Sequence, residues 1–179
     1  IIGTLMDVSE EIEKRKRIEH ERDYDLLTNR YNRRAFERIA QDLFDRQKSK
    51  LEPISAMLMM DMDNLKFIND TYGHMEGDNA LMIVSMVLKL VCGPRGHFIS
   101  RYGGDEFVVF ANLPDDDAAN ELCAAIEEKL EKRSIGLPYA LKMSIGYARL
   151  RKGETEESLG RRADESLYEI KKRKKVDRV

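Results

Sequence analysis

Residues 54–60 read Ile-Ser-Ala-Met-Leu-Met-Met, an apolar run of strand length that stops at Asp61-Met62-Asp63. An unbroken run of this kind suits a strand buried on both faces, although periodicity alone does not separate it from a buried helix segment. Two further runs, His97-Phe98-Ile99-Ser100 and Phe107-Val108-Val109-Phe110, flank Arg101-Tyr102-Gly103-Gly104-Asp105-Glu106. The Gly-Gly pair between them predicts a hairpin closed by a tight two-residue turn, because glycine accepts positive φ. Helical spacing covers residues 33–48, where Phe36, Ile39, Ala40, Leu43 and Phe44 share a face. It recurs over 77–92, where Leu81, Met82, Val84, Met86, Leu88 and Leu90 make a broad apolar face. A short helix is expected over 64–72. Pro114-Asp115-Asp116-Asp117 opens another helix toward Arg133, its acids complementing the helix dipole. Residues 139–150 read as one long strand or a strand pair, and 155–174 as a last helix. The order β-α-α-β-β-α-β-α predicts an α+β fold, an α/β sandwich of ferredoxin-like outline. Its central sheet contains antiparallel strands and carries helices on one face.

Length and charge narrow the function. At 179 residues there is room for one domain with a sizeable core, plus an extension. The 31 basic and 33 acidic residues leave a net charge of −2, which gives no electrostatic footprint for bulk nucleic-acid binding. No apolar run approaches the roughly 20 residues of a membrane span, so no membrane contact is expected of this segment. Cys92 and Cys123 lack histidines at zinc spacing and are expected as free thiols in a reducing, cytoplasmic compartment. The chain begins at Ile1 without a signal peptide, so it is expected to be a piece of a longer protein, with any membrane anchor elsewhere. Residues 9–24 are nearly all charged and favour a solvated linker helix. Val8 and Ile12 share a face, but Ile18 does not extend a clean heptad, so a coiled coil has less support. Of nine methionines, Met57, Met59, Met60, Met62, Met82 and Met86 are expected to fill the core.

The candidate chemistry lies in two acidic clusters. Asp61 ends the apolar run, where an unpaired charge is costly, and Asp105 and Glu106 stand at the hairpin. Taken alone, the second cluster is equally an ordinary solvated turn. Hard divalent ions take oxygen ligands, usually one or two carboxylates plus substrate phosphates, and Asp61 and Asp105 could supply them from neighbouring strands. Asp63 could equally cap a helix from Asn64. An EF-hand fails at Leu65 and Lys66, where an oxygen ligand and a glycine are needed, and no GxxxxGK[ST] run is present.

Four ordered motifs carry a family resemblance: Asp25-Leu26-Leu27-Thr28 with Asn32-Arg33-Arg34-Ala35-Phe36; Asp61 to Asp70 with Gly73-His74 and Gly77-Asp78; Arg101 to Phe107; and Ser144-Ile145-Gly146 with Ala163-Asp164, Leu167-Tyr168 and Lys171. The chain resembles the GGDEF domains, the diguanylate cyclases, from Asp25 to Lys175. The resemblance implies a nucleotidyl-cyclase-like fold and Mg²⁺ (or Mn²⁺) dependent condensation of two GTP to cyclic di-GMP across a homodimer of domains. It implies metal binding by Asp61, the Met62 carbonyl and Asp105, with Asp105 and Glu106 as catalytic acids. Guanine would be read by Asn69 and Asp78 beside Leu81. Lys66, Lys171 and Lys175 would contact the triphosphate, and Gly103 and Gly104 would let substrate approach. Residues 1–24 are similar to the tail of a PAS-like sensor in the same polypeptide followed by a signalling linker, leaving 25–179 as the cyclase domain. The family's Gly-Leu is Asn29-Arg30 here, which opens the local turn and one pocket wall to change. After Lys171 the family often reads Gly-Arg-Asn, which Arg173-Lys174-Lys175-Val176 replaces here; Lys175 keeps the charge of the family's arginine but lacks its bidentate fork. The R-x-x-D inhibitory motif would fall on Pro94 and His97, so no inhibitory site is expected. Lys172 and Lys174 read as solvated, Leu167 and Tyr168 as core, and His74 as turn support. A catalytically silent GTP-binding regulatory module is the competing reading.

Overall fold

The computed structural model describes residues 11–15, 18, 20–48 and 55–176. Residues 1–8, assigned from sequence to the tail of an upstream domain, lie outside them, as do the first two residues of the linker. Four strands form one sheet: β1 (Ala56–Met62), β2 (Phe98–Arg101), β3 (Glu106–Ala111) and β4 (Met143–Arg149). Their order is β2-β3-β1-β4 and every pairing is antiparallel. Five helices cover the sheet: α1 (Arg33–Lys48), α2 (Leu65–Tyr72), α3 (His74–Cys92), α4 (Asp116–Ser134) and α5 (Glu156–Val176).

Alternation along β1 explains the layers. Ala56, Leu58, Met60 and Met62 point to one core with Ala80, Val84 and Leu88 of α3 and Leu122, Ile126 and Leu130 of α4. Met57 points the other way, to a second core with Phe36 and Ala40 of α1 and Leu159 and Ala163 of α5. Helices therefore cover both faces, not one. A strand apolar on both sides has to be buried on both. Met82 and Met86, expected in the core, are 43% and 40% exposed. They fall with Leu90 on the outer side of α3, because only one stripe of a helix can face a flat sheet. Tyr168 is also exposed. Helix α3 begins at His74 rather than Gly77, because Gly73 at φ 92° makes the break from α2.

The hairpin departs from expectation. Four residues, Tyr102–Asp105, join β2 to β3, and neither Gly103 nor Gly104 has positive φ. A longer connection does not need the primed two-residue geometry. It is closed instead by hydrogen bonds: Tyr102 N–H donates to the Glu106 carbonyl at 2.8 Å, and Arg101 Nη2 donates to the Gly104 carbonyl at 2.8 Å.

Glycine is required at Gly146 of β4. A Cβ there would stand 2.1 Å from Leu167 N and 2.7 Å from the Ala163 carbonyl oxygen. The absent side chain lets α5 lie directly on the strand. At the other edge, helical residues 20–23 run into a ring stack of His20, Tyr24, Tyr31 and Phe98, with centroids 4.5, 4.7 and 4.7 Å apart. No helix among the described residues is long and apolar enough to cross a membrane.

Candidate active site

Strand pairing brings the two acidic clusters together. Asp61 faces Glu106 on one neighbour and Ser144 on the other, and Met62 N–H donates to the Asp105 carbonyl at 2.9 Å. A cleft of about 270 Å³ opens here, lined by Asp61, Met62, Lys66, Asp105, Lys171 and Lys175, with Asp63 and Lys174 at its side. Asp61 is only 9% exposed, and Lys171 Nζ lies 2.6 Å from its Oδ2. Burial pushes the Asp61 carboxyl up, Asp105 and Asp63 add to that, and the Lys171 contact opposes it. A buried carboxylate paired with one lysine, beside the half-buried Asp105, is a donor set suited to a hard divalent cation. No group of three or more His, Cys, Asp or Glu side chains at metal-holding spacing occurs among the described residues. A metal here would therefore draw its remaining ligands from backbone, substrate phosphates and water, as Mg²⁺ commonly does.

Asp63 does not cap α2. Its Oδ1 accepts from Ser144 Oγ at 2.7 Å and its Oδ2 from Lys174 Nζ at 2.9 Å. The N-cap residue Asn64 sits in the left-handed region at φ 65° with no side-chain cap bond. Lys174, read from sequence as solvated, also donates to the Met143 carbonyl at 2.7 Å and lines the cleft. Its signal was its place three residues after Lys171, on the same side of α5.

Glu106 opens β3 with its side chain exposed, and neither it, Gly103 nor Gly104 lines the cleft. A Cβ on Gly103 would meet Glu106 Oε2 at 2.6 Å, whereas Gly104 has open space around it. Lys66 and Asn69 are three residues apart on α2, so they share a face. Asn69 reaches across to α3, where its Oδ1 would stand 1.9 Å from a Cβ on Gly77. Asp78 follows, exposed, while Leu81 is buried in the core at 3%. Asn69 thus stands against Gly77, the residue before Asp78, at an elbow one helical turn beyond Lys66, outside the cleft lining. Sequence reasoning missed the clamp on this elbow: Tyr139 Oη donates to Glu76 Oε2 at 2.8 Å. Burial and the Glu76 carboxylate push the Tyr139 hydroxyl up to about 12. A contact spanning 63 residues has no local signal.

The Asn29-Arg30 departure resolves simply. Asn29 adopts φ 53°, a conformation asparagine tolerates, so the turn is kept. Arg30 donates through Nε to Ser85 Oγ of α3 at 3.0 Å, outside the cleft lining. Nearby, Asp25 Oδ1 accepts from Thr28 and from Arg101 Nη1 at 2.9 Å. Burial alone would raise the Asp25 carboxyl, but the Thr28 and Arg101 bonds outweigh it and hold the group low. At the former inhibitory-motif position, His97 is buried and Pro94 lies in a 3₁₀ turn, Gly93–Arg95.

The chain is 33% identical over 166 residues to the diguanylate cyclase DgcM of Escherichia coli K12, covering 92% of this chain and 40% of DgcM. It is 38% identical over 120 residues to diguanylate cyclase A of Treponema denticola, covering 65% of this chain and 32% of that protein. The chain therefore spans well under half the length of these curated relatives. Among solved structures, the coiled coil and GGDEF domain of Caulobacter crescentus DgcB, determined with c-di-GMP, superposes with a TM-score of 0.75. That match has 27% identity and covers 96% of this chain and 92% of DgcB's. The family described as diguanylate cyclase, GGDEF domain, matches residues 22–177, and the chain belongs to it.

Proposed function

We propose that this domain condenses two GTP molecules into cyclic di-GMP, releasing two pyrophosphates. The observation that carries the reading is the meeting of Asp61 and Asp105 in one cleft with Lys66, Lys171 and Lys175, on a chain of this family. The lysines contact triphosphate oxygens, and guanine reaches Asn69 and Asp78, whose acceptors suit its N1 and N2 donors. Gly103 and Gly104 keep the hairpin open to the nucleotide. Asp61, the Met62 carbonyl and Asp105 would hold Mg²⁺ or Mn²⁺, which when bound offsets charge on the attacking and leaving oxygens. The ribose 3′-hydroxyl attacks the α-phosphorus in line, and one of the two hairpin acids, Asp105 or Glu106, takes its proton.

Each domain holds one GTP, so two copies face each other and a homodimer is the working unit. Residues 1–24 serve as the end of a PAS-like sensor and a helical linker in the same polypeptide, with 25–179 as the cyclase domain. The use of GTP favours the cytoplasm, with neither nucleic acid nor membrane as partner of this segment. Pro94 has no charge for a phosphate and His97 is buried, which supports the absence of an inhibitory product site.

The test is incubation with GTP and Mg²⁺ followed by nucleotide chromatography. Cyclic di-GMP is expected from the wild type, with losses of several orders of magnitude in Asp61→Asn and Asp105→Asn. GTP binding without product would establish the silent regulatory module instead. Turnover in Asp61→Asn within about tenfold of wild type, or ~1.4 kcal/mol of barrier, would overturn the metal assignment.

A further inference from the structure

The cleft holds one cation that the motifs do not assign. The Lys174 side chain lines the cleft. Its ammonium is held at two points, Asp63 Oδ2 at 2.9 Å and the Met143 carbonyl at 2.7 Å. Asp63 is itself fixed by Ser144 Oγ at 2.7 Å, and its own N–H donates to the Lys142 carbonyl at 2.9 Å. The anchor is therefore the first residue of β4 and the residue after β1, not a mobile surface group.

An ammonium has three N–H donors. Two are used, and the third belongs to a side chain 35% exposed and lining the cleft beside Lys171 and Lys175. Resting on the reading of this cleft as the triphosphate site, we infer that Lys174 is a pre-positioned phosphate-binding residue. It donates its remaining N–H to a triphosphate oxygen while Asp63 and Met143 keep it in place. A free lysine loses rotamer entropy when it captures a phosphate, and a tethered one has already lost it. The added cation also makes up for lysine at 175, which lacks an arginine's fork.

The bland alternative is that Lys174 only neutralises Asp63. Calorimetry separates the two, using the intact chain, Mg²⁺, a GTP analogue with a non-scissile α,β bond, and GMP by competition. Lys174→Met should weaken the analogue about tenfold, as expected for one charge-assisted bond, and leave GMP within about twofold. Lys174→Arg should restore most of the affinity. The loss should persist when Asp63→Asn is the starting protein, because the amide oxygen and the Met143 carbonyl still accept from Lys174 and no bare carboxylate is left behind. Equal weakening of GMP and analogue, or disappearance of the loss in the Asp63→Asn background, would overturn the inference. Lys171→Met provides the reference. If it weakens the analogue while Lys174→Met does not, this inference alone fails. If neither substitution has an effect, the cleft is not the triphosphate site and both readings fall.

Discussion

Substituting Gly146 by alanine tests how the candidate site is held together. The new Cβ would lie 2.1 Å from Leu167 N, 2.5 Å from Leu167 Cα and 2.7 Å from the Ala163 carbonyl oxygen. Ordinary contacts sit near 3.5–4.0 Å, so α5 has to retreat from β4 by about 1 Å or more. All three atoms are backbone, so no rotamer change relieves the clash. Overpacking of this kind costs about 1–3 kcal/mol and more where the neighbour is rigid, so we expect roughly 3 kcal/mol. For a domain of this size that lowers Tm by about 6–12 °C. The same retreat draws Lys171 and Lys174 away from Asp61 and Asp63, so nucleotide affinity should fall with stability. Gly160 on the same helix is the control. There a Cβ would meet only Met57 Cε at 3.6 Å and Sδ at 3.7 Å, ordinary contact. Gly160→Ala should therefore gain up to about 1 kcal/mol from helix propensity. Thermal denaturation followed by circular dichroism measures both. A Gly146→Ala protein melting within about 2 °C of wild type would refute the close approach of α5 to β4.

Three further outcomes follow from contacts away from the cleft. His97 is 8% exposed, its Nε2 has no hydrogen-bond partner among the described residues, and burial, helped by Arg95, lowers its proton affinity. Its unfolded form thus protonates first, near pH 6.5, and stability should be constant above that and fall below it by at most ~1.4 kcal/mol per pH unit. His97→Leu should flatten that part of a urea-denaturation profile, and an unchanged slope would show that His97 is not the group responsible. Tyr139→Phe removes the donor to Glu76 Oε2 and should cost about 1–2 kcal/mol in the same assay, whereas a loss below about 0.5 kcal/mol would mean the elbow needs no clamp. Arg101→Lys cannot span Asp25 and the Gly104 carbonyl together, so a loss of about 1–2 kcal/mol is expected, and an unshifted urea midpoint would rule out the tether.

Much of the fold was legible because its signals are periodic. The apolar run from Ala56 became β1, the helical stripe at 33–48 became α1, and Pro114-Asp115-Asp116-Asp117 opened α4 with Asp115 capping Ala118 N–H at 2.8 Å. Period alone did not say which side of a helix faces out, so Met82 and Met86 were placed inside when they lie on the outer stripe of α3. It also did not count the faces of the sheet to be covered, although a β1 apolar on both sides already required two. The Gly103-Gly104 pair was read through the wrong property. Its use is the room it leaves beside Glu106 and at the hairpin tip, not positive φ. The acids of the cleft were legible because charge at the end of an apolar run is locally anomalous. Lys174 was not, since a lysine among basic neighbours looks solvated until the register of α5 against β4 is known.

That register makes the site one mechanical unit. Asp61 and Asp63 stand two residues apart at the end of β1, and Lys171 and Lys174 stand three apart on α5. On a strand that spacing returns to the same face, and on a helix it returns to nearly the same side. The two periods meet only if α5 crosses the sheet at one height, and the missing side chain at Gly146 sets that height. Ser144, two residues earlier on β4, then fixes Asp63 from the strand side. The pairing of two carboxylates with two ammonium groups is thus written into the spacing of three separate segments. A change at Gly146 should reach the cleft without touching any charged group.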